Sequence, residues 1–130
     1  MSTATYRNLA RSLANLCALA LDLPNVELSR RFPHDRYRHA KHRMLTFGER
    51  DRYREVFDAY SADDAVVGSL SDDMGDIYED LMRGLRVFDG KRATRQTDAA
   101  WVWRESFYFH WGEHATSALR ALYWLLRQSE

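Results

Sequence analysis

The stretch Trp101–Arg127 reads WVWRESFYFHWGEHATSALRALYWLLR, and it decides the fold of this chain. It contains all four tryptophans, and its apolar residues recur at spacings of three and four, which is the pattern of one long α-helix. His110 and His114 are four positions apart, so a helix places one imidazole above the other. Such a pair can bind a metal ion, bind a carboxylate, or fill a core with its ring nitrogens hydrogen-bonded.

The composition predicts one helical domain that spans residues 1–130. The chain is 45% apolar and 29% charged, which are ordinary globular values. Two prolines and six glycines favour a few long helices over an all-β fold with many tight turns. No apolar run approaches the length of about 18 residues that a membrane-spanning helix needs. Cys17 is the only cysteine and cannot form an intramolecular disulfide, so we expect a cytoplasmic protein.

Four principal helices account for most of the chain. Pro24 ends the first, because proline cannot continue the backbone hydrogen bonding. Ser71, followed by two aspartates, is a strong helix N-terminus, and Gly90 closes that helix. Ser61–Leu70 reads as a loop, and His34–Phe47 is polar and less regular. The prediction is an all-α, four-helix up-and-down bundle with a polar, less regular second segment; its helices are Thr3–Leu23, Glu49–Tyr60, Ser71–Phe88 and Thr97–Arg127.

The last helix is apolar on two sides. Phe107 and Leu125 lie on one side, and Phe109 and Tyr123 lie largely on the other. A helix of this kind is either central in its fold or covered by a second subunit. The sequence therefore predicts a homodimer.

Charge is segregated although the formal net charge is zero. The stretch Arg30–Arg54 carries nine basic residues, and Asp63–Asp80 carries seven acids with no lysine or arginine. Paired basic and acidic faces favour a protein partner, and the adjacent acids argue against nucleic acid. The predicted interaction surface consists of Arg36, Arg38, Arg43, Arg50, Arg52, Arg54 and Trp111.

Three stretches resemble a bacterial family known only as a domain of unknown function. They are Val56–Tyr60, Val67–Leu81 and Trp101–Leu122, which compare with the family patterns VFDP(Y/L), GSLxDDLxDIYxDL and WxWRFxFxxHWGxxxxxALRAL. The chain departs from these patterns at Ala59 and Met74 and again just after Arg104. The resemblance implies an all-α, soluble bacterial protein and brings no established activity.

A metal site between the last two helices is one hypothesis for the histidine pair. Helix bundles build such sites from facing histidines and carboxylates, so His110 and His114 would bind a divalent ion together with one or more of Asp73, Asp76 and Asp80, with Asp73 and Asp80 preferred. On a helical wheel, Asp76 points away from the apolar stripe and towards solvent.

The alternative keeps both histidines as core residues whose ring nitrogens are satisfied by neighbouring carboxylates. No phosphate-binding loop, CxxC pair or HExxH motif is present, and no catalytic residue or bound cofactor is assigned. The sequence favours a protein-interaction or regulatory module, with a metal-binding protein as the alternative.

Overall fold

The computed structural model describes residues 1–29 and 45–129. This part of the chain is mostly helical, with a small two-stranded antiparallel sheet. Its helices are α1 (Thr3–Leu21), α2 (Leu70–Val87), α3 (Ala93–Ser106) and α4 (Gly112–Gln128), and its strands are β1 (Arg52–Glu55) and β2 (Val66–Ser69). A π-helical turn, Phe107–Trp111, joins α3 to α4 without a break, so these two form one long helix over 93–128. The described residues therefore form three helices.

Helix α1 begins where Ser2 accepts a hydrogen bond from the backbone N–H of Thr5 at 3.2 Å. Its buried positions are Tyr6, Leu13 and Ala20, which recur every seven residues and so lie on one face. The chain beyond α1 is tied to α3, because buried Asp98 accepts hydrogen bonds from the backbone N–H and the hydroxyl of Ser29.

The start of helix α2 is held by Asp51, which lies just before β1. Ser69, and not Ser71, is the N-terminal cap, and its hydroxyl accepts from the N–H of Asp72. Asp51 fixes this start, because its carboxylate accepts from the Ser69 hydroxyl at 2.7 Å and from the Ser71 N–H at 2.8 Å. The helix ends at Val87, before Gly90.

The helix predicted at Glu49–Tyr60 is wrong. A 3₁₀ turn at Gly48–Arg50 leads into β1, and β2 lies within the stretch expected to be a loop. Tyr53 lies opposite Gly68 in the antiparallel ladder. A side chain at position 68 would stand 2.8 Å from the Tyr53 ring, so glycine makes room for it. The fold is thus mostly α with a small sheet, in place of an all-α four-helix bundle.

The predicted second segment, His34–Phe47, falls mostly outside the described residues. Its last three residues form no regular element, and Phe47 is buried in the core.

The core lies where the long helix packs against α1 and α2. Its fully buried members include Leu13 from α1, Leu70 from α2, and Trp111 and Leu122 from the long helix. Helix α2 runs antiparallel to the long helix, with Gly84 directly against the indole of Trp103. Within 1–29 and 45–129, no helix has the length and apolarity that a membrane crossing needs.

Candidate metal centre

The π turn determines where His110 lies. The backbone N–H of Gly112 bonds to the carbonyl of Phe107, five residues back, and this widens the helix by one residue. A Cβ on residue 112 would clash with that carbonyl oxygen and with the Phe107 ring, so the turn depends on glycine. Wide turns of this kind occur frequently at functional sites.

His110 is held by a buried carboxylate. Its Nδ1 lies 2.6 Å from Oδ2 of Asp80, whose side chain is 4% exposed. Arg83, one turn along α2, lies 3.8 Å from the other carboxylate oxygen of Asp80. The His110 side chain itself is 47% exposed, so the far side of its ring faces solvent.

His114 is held in the same way and has a second contact. Its Nδ1 lies 2.7 Å from Oδ1 of buried Asp73, and its Nε2 lies 3.1 Å from Oδ2 of Asp76. The hydrogen bond with Asp73 raises the pKa of His114, burial opposes this shift, and the charges of Asp76 and Asp73 reinforce it. The Asp73 carboxylate therefore fixes the orientation of the ring.

The two imidazoles and Asp76 converge on one point. The rings of His110 and His114 meet edge to face with centroids 4.9 Å apart. One potential ligand atom from each of His110, His114 and Asp76 lies within 4.8 Å of the other two. An ionised carboxylate only accepts hydrogen bonds, so each Nδ1 donates its proton to its aspartate. By the same rule Nε2 of His114 donates to Asp76 when the imidazole is protonated, and loss of that proton would free Nε2 to bind an ion. Two nitrogens and one carboxylate oxygen form a donor set suited to a divalent transition metal.

Tyr53 extends the network to the hairpin. Its hydroxyl lies 2.5 Å from Oδ2 of Asp73 and 3.1 Å from Oε2 of Glu55. Burial raises the pKa of Tyr53 well above its usual range, and the hydrogen bond to Asp73 raises it further. The neutral hydroxyl donates its proton to Asp73, so that carboxylate is bound by a histidine on one oxygen and a tyrosine on the other.

A profile of the family described as a domain of unknown function, DUF5063, matches residues 3–128. The chain belongs to this family. No match was found among curated proteins, and none among solved structures. The family description gives no activity, so the side chains of the site carry the functional argument.

The structure brings together the four residues that the sequence proposed as metal ligands. His110 pairs with Asp80 and His114 pairs with Asp73. Asp76, which the helical wheel placed towards solvent, lies half-buried against His114. Asp73, Asp76 and Asp80 are spaced by three and four, and they form a polar stripe that packs against the long helix beside the apolar one.

Sequence reasoning missed Tyr53 and Glu55, since strand pairing far along the chain brings them to the site.

The predicted interaction surface is divided. Trp111 is 1% exposed and donates its indole N–H to the carbonyl of Trp103, so it belongs to the core and not to a surface. Arg50, Arg52 and Arg54 are exposed. Arg36, Arg38 and Arg43 lie outside the described residues.

Proposed function

We propose that the protein binds one divalent transition-metal ion through Asp76, His110 and His114. Asp73 and Asp80 orient the two rings from behind. The observation that carries this proposal is the paired engagement of both Nδ1 atoms by buried carboxylates, at 2.7 and 2.6 Å. Metal-binding histidines commonly donate their other N–H to a carboxylate in this way, which fixes the tautomer and raises the basicity of the ligand nitrogen.

The donor set indicates a class of metal. Imidazole nitrogen with carboxylate oxygen suits Zn²⁺, Fe²⁺ or Mn²⁺ better than Ca²⁺ or Mg²⁺, which favour oxygen ligands alone. Three protein ligands leave coordination positions for water, as in catalytic sites, whereas structural zinc sites are closed by four. The exposure of the His110 side chain, 47%, supports an open site. A water bound there would become more acidic and could serve as a nucleophile.

The same contacts support a purely structural alternative. Two histidine–aspartate pairs tie α2 to the long helix, and a buried carboxylate is satisfied by such a partner. The contact between His114 and Asp76 distinguishes the two proposals, because an ion between Nε2 and this carboxylate would replace their direct contact. A structural network keeps that contact and binds no ion.

A calorimetric titration tests the proposal. The full chain is first freed of metal with a chelator and is then titrated separately with Zn²⁺, Fe²⁺ and Mn²⁺. We expect one ion per chain for at least one metal. The affinity should be lower by at least about tenfold in His114→Ala or Asp76→Asn, because even the loss of a residue behind a ligand costs this much. Asp72→Asn is the matched control, because Asp72 is an exposed acid on the same helix and should leave the affinity unchanged. Absence of stoichiometric binding, or an equal loss in Asp72→Asn, would contradict the metal centre.

A further inference from the structure

A groove of about 950 Å³ lies between the hairpin region and α4. This volume is within the usual range for ligand sites. Residues 49–56 form one wall and one face of α4 forms the other, where Ser117, Arg120, Trp124 and Gln128 follow each other at helical spacing. Asp76, His110 and His114 do not line the groove, although Tyr53 and Glu55 from the network around them do.

Arginines outnumber acids in the lining of the groove by one. Its lining includes four exposed arginines: Arg50, Arg52, Arg54 and Arg120. Within the described part of the chain, none of these guanidinium groups lies within salt-bridge distance of a carboxylate. Three acids also line the groove, and one of them, Glu55, is engaged with the Tyr53 hydroxyl. Four cations against three acids leave an excess of positive charge and several guanidinium groups open to a partner.

The spacing of two arginines specifies the form of that partner. Arg52 and Arg54 lie two residues apart in β1, so both side chains project from the same face of the strand. Positions two apart in a strand are about 6.6 Å from each other. An extended peptide repeats this distance between its own alternate side chains. Guanidinium and carboxylate match as bidentate pairs, so acidic side chains are suitable partners for both arginines.

An aromatic side chain supplies the apolar part of the groove. Trp124 is 42% exposed, and the guanidinium of Arg127 stands 5.0 Å from the centroid of its ring. A partly exposed tryptophan can contact the aliphatic part of a bound peptide while the arginines of the groove pair with its carboxylates.

We propose that this groove binds an extended acidic segment of a partner protein, with carboxylates on alternate residues. Arg52 and Arg54 pair with two successive acids, and Arg120 contacts the peptide from the opposite wall. Nucleic acid is a poorer fit, because its backbone carries a charge on every residue and would bring phosphates past Glu49 and Asp63, whereas acids on alternate residues can face Arg52 and Arg54 alone. This is a binding function separate from the metal centre.

Fluorescence anisotropy of labelled eight-residue peptides with the full chain tests this proposal. We expect a peptide of alternating glutamate and valine to bind. A peptide of the same composition with its glutamates consecutive, and one of alternating lysine and valine, should bind at least about tenfold more weakly. The double variant Arg52→Glu/Arg54→Glu reverses both charges and should bind the alternating glutamate–valine peptide at least about tenfold more weakly than the wild type.

Matched variants keep the result interpretable. Arg11→Glu reverses an exposed arginine of α1 outside the groove and should bind the peptide like the wild type. Arg120→Glu tests the opposite wall if the double variant does not fold, as judged by circular dichroism, and should also bind at least about tenfold more weakly. Equal loss in Arg11→Glu, equal binding of the consecutive-glutamate peptide, or tighter binding of a single-stranded oligonucleotide would each overturn the proposal.

Discussion

At the scale of single residues, carboxylates fix the relative positions of distant segments. Asp51 receives hydrogen bonds from Ser69 and Ser71 at the start of α2, and Asp98 holds Ser29 against α3. Burial works against the ionisation of Asp51, but its hydrogen bonds to Ser69 and Ser71 and the charge of Arg52 outweigh that effect and lower its pKa. Each of these acids therefore collects hydrogen-bond donors from elsewhere in the chain.

Asp51→Asn should destabilise the protein in a way that depends on pH. At pH 7 we expect the free energy of unfolding to fall by about 1 kcal/mol, because the variant replaces a charged hydrogen-bond acceptor at the start of α2 with a neutral one. Partial exposure of the site to solvent keeps this loss small. Folding lowers the pKa of Asp51 below its unfolded value of 3.8. The ionised carboxylate therefore stabilises the fold fully at pH values above 3.8, and this stabilisation is lost as the pH falls through the pKa of the folded state.

Urea unfolding of the wild type and the variant at several pH values measures this difference. The difference in unfolding free energy between the wild type and the variant should be largest at pH 7 and should shrink as the pH falls below the unfolded pKa of Asp51. Asp64→Asn, which changes an exposed loop acid, is the control and should show no such gap. A gap that stays constant with pH would show that the charge of Asp51 is not what stabilises α2.

At the scale of elements, the π turn lets one long helix contribute to the core and to the histidine pair at adjacent positions. Trp111 points into the core at 1% exposure, while His110, the preceding residue, is partly exposed and bonds to the buried carboxylate of Asp80. The carbonyl of Trp103 accepts from the Trp111 indole and from the backbone N–H of Phe107. The geometry of the histidine pair therefore depends on one glycine at the exit of this turn, Gly112.

Gly112→Ala should destabilise the chain by about 2 kcal/mol, because a Cβ there meets the Phe107 carbonyl and ring and something must shift. Gly90→Ala is the matched control, since its Cβ would meet only Phe88, at 3.9 Å. Its unfolding free energy should lie within about 0.5 kcal/mol of the wild type. Chemical denaturation measures both, and equal stability of the two variants would show that the wide turn does not need glycine.

Periodicity predicted α1, α2 and the long helix, because each buries a long stripe at spacings of three and four. It failed for Glu49–Tyr60, where Tyr53 and Val56 gave a helix-like spacing but the backbone pairs with residues 66–69. A four-residue strand carries too few side chains for its period to show, and its partner lies beyond a loop. The π turn was equally hidden, since a helix repeat assumes a constant rise and rotation.

The site was predictable only where its residues form local patterns in the sequence. The histidine spacing and the acids of α2 are local patterns, and they indicated His110, His114, Asp73 and Asp80. The helical wheel places Asp76 towards solvent because it treats the apolar stripe as the whole packed face of α2, whereas Asp76 also contacts His114. A wheel marks where apolar residues are, but it does not show that a polar stripe beside them also faces another helix.

At the scale of the whole molecule, the outer side of the long helix remains apolar. Its inner residues, such as Ala115 and Leu122, are fully buried, whereas Phe109 is 78% and Tyr123 is 53% exposed. Exposed aromatic residues along one helix are a frequent feature of subunit interfaces. The homodimer predicted from the sequence therefore stays a prediction, and this outer side is the surface on which we expect a second copy.

Sedimentation equilibrium at micromolar concentration measures this expectation. The wild type should have twice the single-chain mass of 15.3 kDa. Phe109→Asp should shift the chain towards the monomer, because a buried carboxylate without a partner costs several kcal/mol at an interface. Phe57→Asp removes another phenylalanine, 63% exposed near the hairpin, and should leave the dimer intact. A wild-type mass of one chain would refute the dimer, and dissociation by Phe57→Asp alone would move the interface away from the long helix.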